Sequence, residues 1–267
     1  MKSRPMKTRL DKLLVERALA PTRERAQAII LAGRVLVNEQ KQDKPGASIP
    51  HDATLRLLGS DLRYVSRGGL KLEAALAHWN IDLHGRFCLD VGASTGGFTD
   101  CMLQHGAPQV LAIDTGYGQI AQTLRDDPRV TLMERTNARL LNRGDLPAGI
   151  SFVSMDVSFI SATLVIPPVL AAIRHPMSDT ASDNVRHASD AVRHRPLEAV
   201  ILIKPQFEAG RERIGKGGIV RDPAAHQFAI DRVRDCVTQT GATQIEVIDS
   251  PITGAEGNRE FLLHVLW

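Results

Sequence analysis

Short apolar runs, each followed by a glycine turn, a loop or a helical segment, recur along most of the chain. They lie at 87–91, 109–114, 130–134, 150–157 and 199–204. Apolar runs that alternate with helical segments predict a parallel β-sheet that is covered by helices on both faces. A last run, 261–266, is expected to join the sheet as an antiparallel strand. The fold class is therefore α/β, with a Rossmann-like, mostly parallel sheet.

The front of the chain has a different pattern. Apolar residues recur at helical spacing from Leu10 to Ala18, and Thr22 is placed to cap a second helix that Gly33 ends. Two short strand candidates, 35–37 and 54–58, follow these helices. We expect three parts: a small α+β domain over 1–60, a linker over 61–69 and a large α/β domain over 70–267.

Composition excludes several classes of protein. With 43% hydrophobic residues among 267, the chain is expected to fold rather than remain disordered. No apolar stretch approaches the ~20 residues that a membrane-spanning helix needs, and the first residues lack the apolar core of a signal peptide. Cys88, Cys101 and Cys236 are far apart, so neither a disulfide framework nor a Cys-x-x-Cys metal site is indicated. A cytoplasmic protein is expected.

Charge is distributed unevenly along the chain. Residues 1–67 carry 14 Lys and Arg against 7 Asp and Glu, a net of +7, and the remainder carries 19 against 23, a net of −4. A basic module on an acidic body suggests that the front domain meets a polyanion, although a solvated basic surface gives the same pattern. The basic residues that lie off the apolar stripes, and so can form one face, are Arg9, Lys12, Arg23, Arg25 and Lys44.

A glycine-rich turn follows the first strand of the predicted sheet. Its spacing, Gly92-x-x-x-Gly96-Gly97, differs from the Gly-x-Gly-x-x-Gly of dinucleotide-binding sheets. Asp114 closes the next strand, where a carboxylate can accept hydrogen bonds from both ribose hydroxyls of an adenosine. Asp90 and Asp114 together favour S-adenosylmethionine over NAD as the cofactor. The alternative is that the glycines only permit a tight turn and that Asp114 caps a helix.

Three charged residues are expected at one edge of the sheet, and a fourth lies on the helix that precedes it. Asp156 and Lys204 end successive strands, and ionisable groups at that edge are better placed for catalysis than for stability. Glu260 precedes the last strand, which brings it to the same edge if that strand is antiparallel. Lys71 lies on a predicted helix, 70–79, before the first strand of the sheet. Any one of these residues alone would be interpreted as a solvated surface charge.

Two sets of motifs resemble those of known families. The front motifs, RLDK at 9–12, TRER at 22–25 and GRVLVN at 33–38, are similar to those of the S4-type RNA-binding domain. The four charged residues and the sequences around them resemble the Lys-Asp-Lys-Glu set of the FtsJ-type RNA ribose methyltransferases. The combination of both domains resembles the TlyA-type enzymes, a family often labelled haemolysins, over nearly the whole chain.

The resemblance implies S-adenosylmethionine-dependent 2′-O-methylation of cytidine in ribosomal RNA or ribosomal subunits. It makes Lys71, Asp156, Lys204 and Glu260 catalytic, with Lys204 orienting and deprotonating the ribose hydroxyl. The implied cofactor residues are Asp90, Gly92, Ser94, Gly96, Gly97, Phe98, Asp114 and Asn137. Phe98 and Asn137 are expected along the adenosine, although the family more often has an acidic residue at the position of Asn137. Arg63 and Arg67, in the basic linker, join the expected RNA-binding residues.

Other functions stay open on the sequence alone. An RNA-binding factor with an inactive methyltransferase fold requires a damaged charged set or glycine turn, and both are intact here. A membrane-lytic haemolysin requires a spanning or long amphipathic segment, and an NAD oxidoreductase requires a different glycine spacing. The polar, nearly repeated segment 174–196 is expected to be a disordered insertion, although its histidines also suggest a metal site.

Overall fold

Two compact units, 1–62 and 63–267, make up the computed structural model. It describes residues 7–20, 22–58, 63–175, 196–254 and 256–267. The insertion expected at 174–196 lies almost entirely outside the described residues. No helix in the described part of the chain is long and apolar enough to cross a membrane.

The first unit is a small α+β domain. Its elements are β1 (Lys7–Arg9), α1 (Leu10–Glu16), α2 (Arg23–Leu31), β2 (Val35–Val37), β3 (Gln40–Gln42), β4 (Ser48–Pro50) and β5 (Leu55–Leu57). Strand β1 pairs with β4, and β2 pairs with β3 and β5, all antiparallel. The leucines and isoleucines of both helices pack with β2, so the apolar stripes in the sequence form the core of this unit.

Local chemistry sets the limits of α2. Thr22 has extended backbone angles, and its Oγ1 accepts a hydrogen bond from Arg25 N at 3.2 Å. Beyond the other end, Gly33 has φ +64°, a left-handed conformation that disfavours a side chain. The threonine cap and the glycine stop were both predicted, and the structure confirms them.

The second unit is a seven-stranded sheet with helices on both faces. Its elements are α3 (Gly68–His78), β6 (Phe87–Val91), α4 (Gly97–Gln104), β7 (Gln109–Ile113), α5 (Gln122–Arg125), β8 (Val130–Met133), β9 (Ile150–Met155), α6 (Ile166–Arg174), β10 (Glu198–Ile203), α7 (Pro205–Glu208), α8 (Pro223–Gln239), β11 (Gln244–Asp249) and β12 (Phe261–Leu266). The strand order is β11-β12-β10-β9-β6-β7-β8, and β12 runs antiparallel to both of its neighbours.

The α/β class, the five parallel strands and the antiparallel last strand match the predictions. Strand β11 was not predicted. It lies at the edge of the sheet and is only partly buried, so polar residues interrupt its apolar pattern. Edge strands of this kind give a weak signal because one side of the strand has no neighbour.

Strand β10 shows how the sheet divides its core. Val200 and Leu202 pack on one face with α3 and α4, whereas Ala199, Ile201 and Ile203 pack on the other face with α6 and α8. Side chains alternate between the two faces of a strand, so a strand buried on both sides has a continuous apolar sequence. Each large aliphatic side chain buried in this way contributes about 1.5–3 kcal/mol to stability.

The residues expected to form the end of a linker, 63–69, belong to the second unit. Tyr64 is 2% exposed, and its ring covers Gly69 so closely that a Cβ there would overlap it. Val65 N donates to Asp100 Oδ2 at 2.7 Å, and Gln104 Nε2 donates to Arg63 O at 3.1 Å. A buried aromatic side chain and two hydrogen bonds to α4 therefore fix this segment, which composition alone had suggested to be a connector.

Candidate active site

Four ionisable side chains meet at the carboxyl edge of the sheet. Lys71 lies on α3, Asp156 follows β9, Lys204 follows β10 and Glu260 precedes β12. Lys71 Nζ lies 2.5 Å from Glu260 Oε2, and Lys204 Nζ lies 2.5 Å from Asp156 Oδ1. Because β12 is antiparallel, the residue before it reaches the edge where β9 and β10 end. The structure thus brings the four expected catalytic residues together as two ammonium–carboxylate pairs.

The two pairs differ in their hydrogen bonds. Lys71 Nζ donates to Glu260 directly. Lys204 Nζ donates to Ser158 Oγ at 2.7 Å, whereas Asp156 Oδ1 accepts no hydrogen bond of good geometry from the described residues. The contact between Lys204 and Asp156 is therefore one of charge, and Ser158 gives the ammonium its direction. Sequence reasoning missed Ser158, because a serine in a loop carries no distinctive signal.

The glycine turn allows the ends of β6 and β9 to approach each other closely. Gly92 has φ +86°, and a Cβ at this position would stand 2.5 Å from Asp156 O. Asp156 N donates to Val91 O at 2.9 Å, which ties the carboxyl end of β9 to the turn. A side chain at position 92 would displace Asp156, so the glycine is required by both its conformation and its neighbour.

Backbone amides hold Asp114 in the wall of a cavity. Ser94 N donates to Asp114 Oδ2 at 2.8 Å, and Gly116 N donates to Oδ1 at 2.6 Å. Each carboxylate oxygen keeps a further lone pair for a ligand hydroxyl. The cavity has a volume of about 290 Å³, and its lining includes Gly92, Ser94, Asp114, Gln119 and Asn137. Four of the expected cofactor residues therefore surround one space.

A second cavity, of about 280 Å³, adjoins the first. Both are lined by Gly92, Ser94, Asp156 and Ser158. The second cavity is also lined by Arg67, Lys71, Gly97, Phe98 and Lys204. Phe98 was expected to lie along an adenosine with Asn137, but it lies in this second wall, beside the lysines. Phe98 is in the first turn of α4, and its ring lies within 4 Å of where a Cβ on Gly68, the first residue of α3, would stand.

Two expected cofactor residues line neither cavity. Asp90 is fully buried beneath the glycine turn, where it accepts hydrogen bonds from Thr99 Oγ1 at 2.6 Å and Ser154 Oγ at 3.0 Å. Burial raises the pKa of Asp90 to about 6, because the charged carboxylate loses its hydration there. Gly96 has φ +94°, and a Cβ there would overlap Leu124. Both residues support the turn from below rather than face a ligand.

In the first unit, one buried carboxylate organises two of the expected RNA-binding residues. Asp11 is fully buried and accepts hydrogen bonds from Arg9 Nε at 3.0 Å, Arg9 Nη2 at 2.9 Å and Arg23 Nε at 2.9 Å. Gln27 Nε2 adds a bond at 3.0 Å. The hydrogen bonds from Arg9 hold the pKa of Asp11 far below its usual range. Both arginine side chains remain nearly half exposed.

The other expected RNA-binding residues lie in different surroundings. Lys12 and Lys44 are exposed in the first unit, and Arg25 is partly buried on α2. Arg63 and Arg67 belong to the second unit, where Arg63 pairs with Glu73 and Arg67 is exposed at the second cavity. The structure therefore divides these basic residues between the two units.

A phenylalanine beside the first cavity was not recognised in the sequence. Phe159 is 92% exposed, and its φ of +64° lies in the left-handed region that a bulky residue rarely adopts. Its ring centroid lies 5.5 Å from that of Phe207. The sequence from 150 to 157 is typical of a single strand, and it gives no signal of the left-handed residue that follows at 159. An exposed ring held in a strained conformation is typical of a functional position.

Comparisons with protein families agree with this division into two units. The model described as FtsJ-like methyltransferase matches residues 64–266, and the model of the S4 domain matches residues 8–52.

Similar proteins cover nearly the whole chain. A Bacillus subtilis protein named "Putative rRNA methyltransferase YqxC" is 48% identical over 98% of this chain and 86% of its own length. The 16S/23S rRNA (cytidine-2′-O)-methyltransferase TlyA of Mycobacterium tuberculosis is 37% identical over 96% of this chain and 89% of its own. A solved structure titled "Putative hemolysin" from Streptococcus thermophilus has a TM-score of 0.67 and 42% identity, over 98% of this chain and 88% of that one.

The buried Asp90 makes a testable contribution to pH dependence. Its folded pKa of about 6 is above the unfolded value of 3.8, so the folded chain binds the proton more tightly and gains stability as the pH falls through 6. In Asp90→Asn this gain is absent. Between pH 7 and pH 5, we expect the free energy of unfolding of the unchanged chain to rise by about 1 kcal/mol relative to Asp90→Asn. Urea unfolding of both proteins at the two pH values measures this difference, and parallel curves would contradict it.

Proposed function

The chain belongs to the FtsJ-like methyltransferase family, and from this premise we propose that it methylates the 2′-oxygen of a cytidine ribose in ribosomal RNA. One observation carries the proposal: Asp156 lines both of two adjoining cavities at the carboxyl edge of the sheet, and Lys204, which contacts it, lines the second. The name of the TlyA relative specifies this reaction for that protein. A ribosomal substrate implies that the chain acts in the cytoplasm.

The first cavity suits the adenosine of S-adenosylmethionine, the cofactor of this family. Asp114 carries two acceptor oxygens fixed by backbone amides, which fit the two ribose hydroxyls of the adenosine. Asn137 and Gln119 offer an amide each at the same cavity. When bound, the cofactor supplies an electrophilic methyl group on a positively charged sulfur. The wall at Asp156 is shared with the second cavity, where the methyl group would meet the ribose.

The chain's own groups then handle the ribose hydroxyl. A hydroxyl is a weak nucleophile, so its oxygen must be aligned with the methyl group and must lose its proton as the new bond forms. We assign both tasks to Lys204 Nζ, which orients the hydroxyl and, once it has released its own proton to solvent, takes the proton of the hydroxyl. Ser158 and Asp156 hold this nitrogen in place, and the Lys71–Glu260 pair forms the neighbouring wall. The need to align the ribose hydroxyl and to remove its proton explains why lysine and carboxylate groups lie at this edge.

The first unit is proposed to hold the RNA. Two guanidinium groups that converge on buried Asp11 are fixed before binding, and their remaining N–H groups are available to phosphate oxygens. Structured RNA is recognised mainly through its shape and its phosphates, which fits a basic surface of this kind. RNA binding without catalysis is the second candidate function, but it leaves two buried ammonium–carboxylate pairs and two cavities without a role.

The exposed ring of Phe159 gives the target base a surface on which to stack. An aromatic ring accepts any base on its face, and such stacking is worth about 1–3 kcal/mol per base. Phe159 is almost fully exposed beside the first cavity and follows Ser158, which accepts from Lys204 Nζ. A base stacked on the solvent-facing side of the ring therefore stays outside the space assigned to the adenosine and would bring its own ribose toward Lys204.

The catalytic role of Lys204 is tested with Lys204→Ala. Transfer of labelled methyl groups from S-adenosylmethionine to ribosomal subunits should fall by about 100-fold or more, because orientation and proton transfer are both lost. The dissociation constant for S-adenosylmethionine should stay within threefold. Arg129→Ala, which breaks an exposed ion pair with Asp127, is the control and should retain full activity. Resistance of the neighbouring phosphodiester to alkaline hydrolysis locates the methyl group. Transfer to a base, or an unchanged rate in Lys204→Ala, would refute the assignment.

A second prediction concerns the arginines that Asp11 orients. Asp11→Ala should weaken RNA binding by the full chain about tenfold, because Arg9 and Arg23 lose their common anchor. The slope of log affinity against log salt concentration should become less steep by about 0.7 for each phosphate group that the variant no longer binds. Glu39→Ala, which releases Arg56 from an exposed ion pair in the same unit, serves as the matched control. If both variants bind RNA with the same affinity and slope as the unchanged chain, Asp11 has no such role.

A third prediction separates the ring of Phe159 from its strained backbone. Phe159→Ala and Phe159→Gly should both lower kcat/KM for the RNA about tenfold, since both lose the stacking surface. Phe159→Gly should be the more stable of the two by about 1 kcal/mol, because glycine adopts a positive φ freely. Leu164→Ala, a half-exposed apolar residue in the same segment, is the control. Thermal unfolding measures the stability of the three variants, and steady-state kinetics measure their kcat/KM. A normal kcat/KM in Phe159→Ala would show that the target base does not stack on this ring.

A further inference from the structure

A buried carboxylate lies one helical turn beyond Lys204. Glu208, at the end of α7, is 2% exposed. Its Oε1 accepts a hydrogen bond from Ala162 N at 2.7 Å, and its Oε2 accepts one from Ser161 Oγ at 2.5 Å. Its backbone oxygen accepts a bond from Arg232 Nη1 at 2.9 Å, which ties α7 to α8. Glu208 is thus an immobile acceptor for the segment that follows β9.

The segment 156–162, here called the β9 loop, is attached to the Lys204 turn at two points. At its near end, Ser158 Oγ accepts from Lys204 Nζ at 2.7 Å. At its far end, Ser161 and Ala162 donate to Glu208. The loop, the end of β10 and α7 therefore form a closed ring of bonds at the carboxyl edge of the sheet. Asp156 N also donates to Val91 O, and Ile160 and Ala162 pack in the core, but Glu208 is the side chain that bonds the far end of the loop.

The loop needs both attachments because it is strained between them. Phe159 stands between the two points, with φ +64° and an almost fully exposed side chain. A left-handed conformation costs a residue with a side chain about 1–2 kcal/mol. Its ring contact with Phe207 is with a neighbour on α7, the same helix that carries Glu208. Without the far anchor, the backbone at 159 can relax to negative φ and draw Ser158 away from Lys204.

We propose that Glu208 is a positioning residue that anchors the far end of the β9 loop. This anchor keeps Ser158 within hydrogen-bond distance of Lys204 and keeps the Phe159 ring exposed beside the first cavity. The inference deepens the proposed methyl transfer and rests on it for the reaction that the loop serves. Glu208 acts through the loop, since its own carboxylate oxygens are occupied by Ser161 and Ala162.

The anchor works through hydrogen bonds rather than through charge. Burial raises the pKa of Glu208, because the ionised form loses its hydration. A glutamine can make both bonds, since its amide oxygen accepts from Ala162 N and its amide nitrogen donates to Ser161 Oγ, which is able to accept. Leucine has a similar volume and can make neither. Glu208→Gln and Glu208→Leu therefore separate the anchor from the packing.

The kinetic experiment compares these two variants with the unchanged chain. Glu208→Leu should lower kcat for methyl transfer by about 100-fold, because a shift of the catalytic nitrogen by about 1 Å has an effect of that size. Glu208→Gln should retain kcat within about threefold. Ser161→Ala should lower kcat less than Glu208→Leu, and the double variant should match Glu208→Leu alone, since both changes cut the same attachment.

The matched control is a second buried carboxylate in the same sheet. Glu198, at the start of β10, accepts from His264 Nε2 at 2.7 Å and from Arg86, away from the catalytic edge. Glu198→Gln should lower the melting temperature while leaving kcat unchanged. A fall in kcat for Glu198→Gln equal to that for Glu208→Leu would overturn the proposal, because stability alone would then explain both results.

Hydrogen exchange provides a measurement that does not depend on methyl transfer. Amides of the β9 loop should exchange faster in Glu208→Leu than in the unchanged chain and at the normal rate in Glu208→Gln. If the unchanged chain transfers no methyl group to RNA, the proposed function fails, while the exchange rates still decide whether Glu208 anchors the loop. Unaltered exchange in Glu208→Leu, full activity in Glu208→Leu, or equal loss in Glu208→Gln would each overturn the inference.

Discussion

The pairing of charges at the carboxyl edge of one sheet determines most of what surrounds it. Lys71, Lys204 and Glu260 are each less than a tenth exposed, and an isolated charge at that depth costs several kcal/mol. Each ammonium group must therefore have a carboxylate partner in the folded chain. The pair Lys71–Glu260 joins residues 189 positions apart, which requires α3 and the start of β12 to meet. The antiparallel direction of β12 provides this meeting, because only an incoming strand begins where the parallel strands end.

The same edge also has to leave space for ligands, and the backbone provides it. The absence of a side chain at Gly92 lets Asp156 approach the turn after β6, so one carboxylate can border both cavities. Beneath the turn, Asp90 accepts hydrogen bonds from Thr99 and Ser154, so its buried carboxylate keeps polar partners. Above it, the β9 loop carries a strained, exposed phenylalanine. The hydrogen bonds of Asp90 below the turn and those of the β9 loop above it hold the charged groups in a fixed geometry.

The first unit applies a similar principle to binding. Arginine side chains on a surface lose considerable freedom when they bind a phosphate, and that loss weakens binding. Asp11 removes much of this freedom beforehand by holding Arg9 and Arg23 on one buried carboxylate. In both units, therefore, a buried acidic residue orients exposed or reactive basic groups. Asp11 is fully buried, and it differs in this respect from Asp114, which is held by backbone amides at a cavity wall.

Much of this arrangement could be predicted from the sequence because it depends on local or periodic signals. The apolar runs gave the parallel strands, Thr22 and Gly33 limited α2, and the order of the strands placed Asp156, Lys204 and Glu260 at one edge. Residues that act through distant partners were beyond such reasoning. Ser158, Glu208 and Asp11 are ordinary polar residues in the sequence, and only interactions made across the fold distinguish them. Phe98 and Asp90 lie in the expected motif, but the direction of their side chains depends on the packing of α4 and β6.

The sequence by itself determined the class of the fold, the division into a basic front unit and a sheet, and the set of charged groups at the carboxyl edge. The first two follow from hydrophobic periodicity, turn chemistry and charge, which act over short distances along the chain. The charged set follows from the order of the strands and, for Lys71, from the resemblance to the FtsJ-type motifs. The tertiary structure alone decided which lysine meets which carboxylate, which motif residues face a cavity and how the β9 loop is held. Hydrogen bonds and ion pairs of this kind have ranges of a few ångströms, so they exist only after folding brings distant segments together.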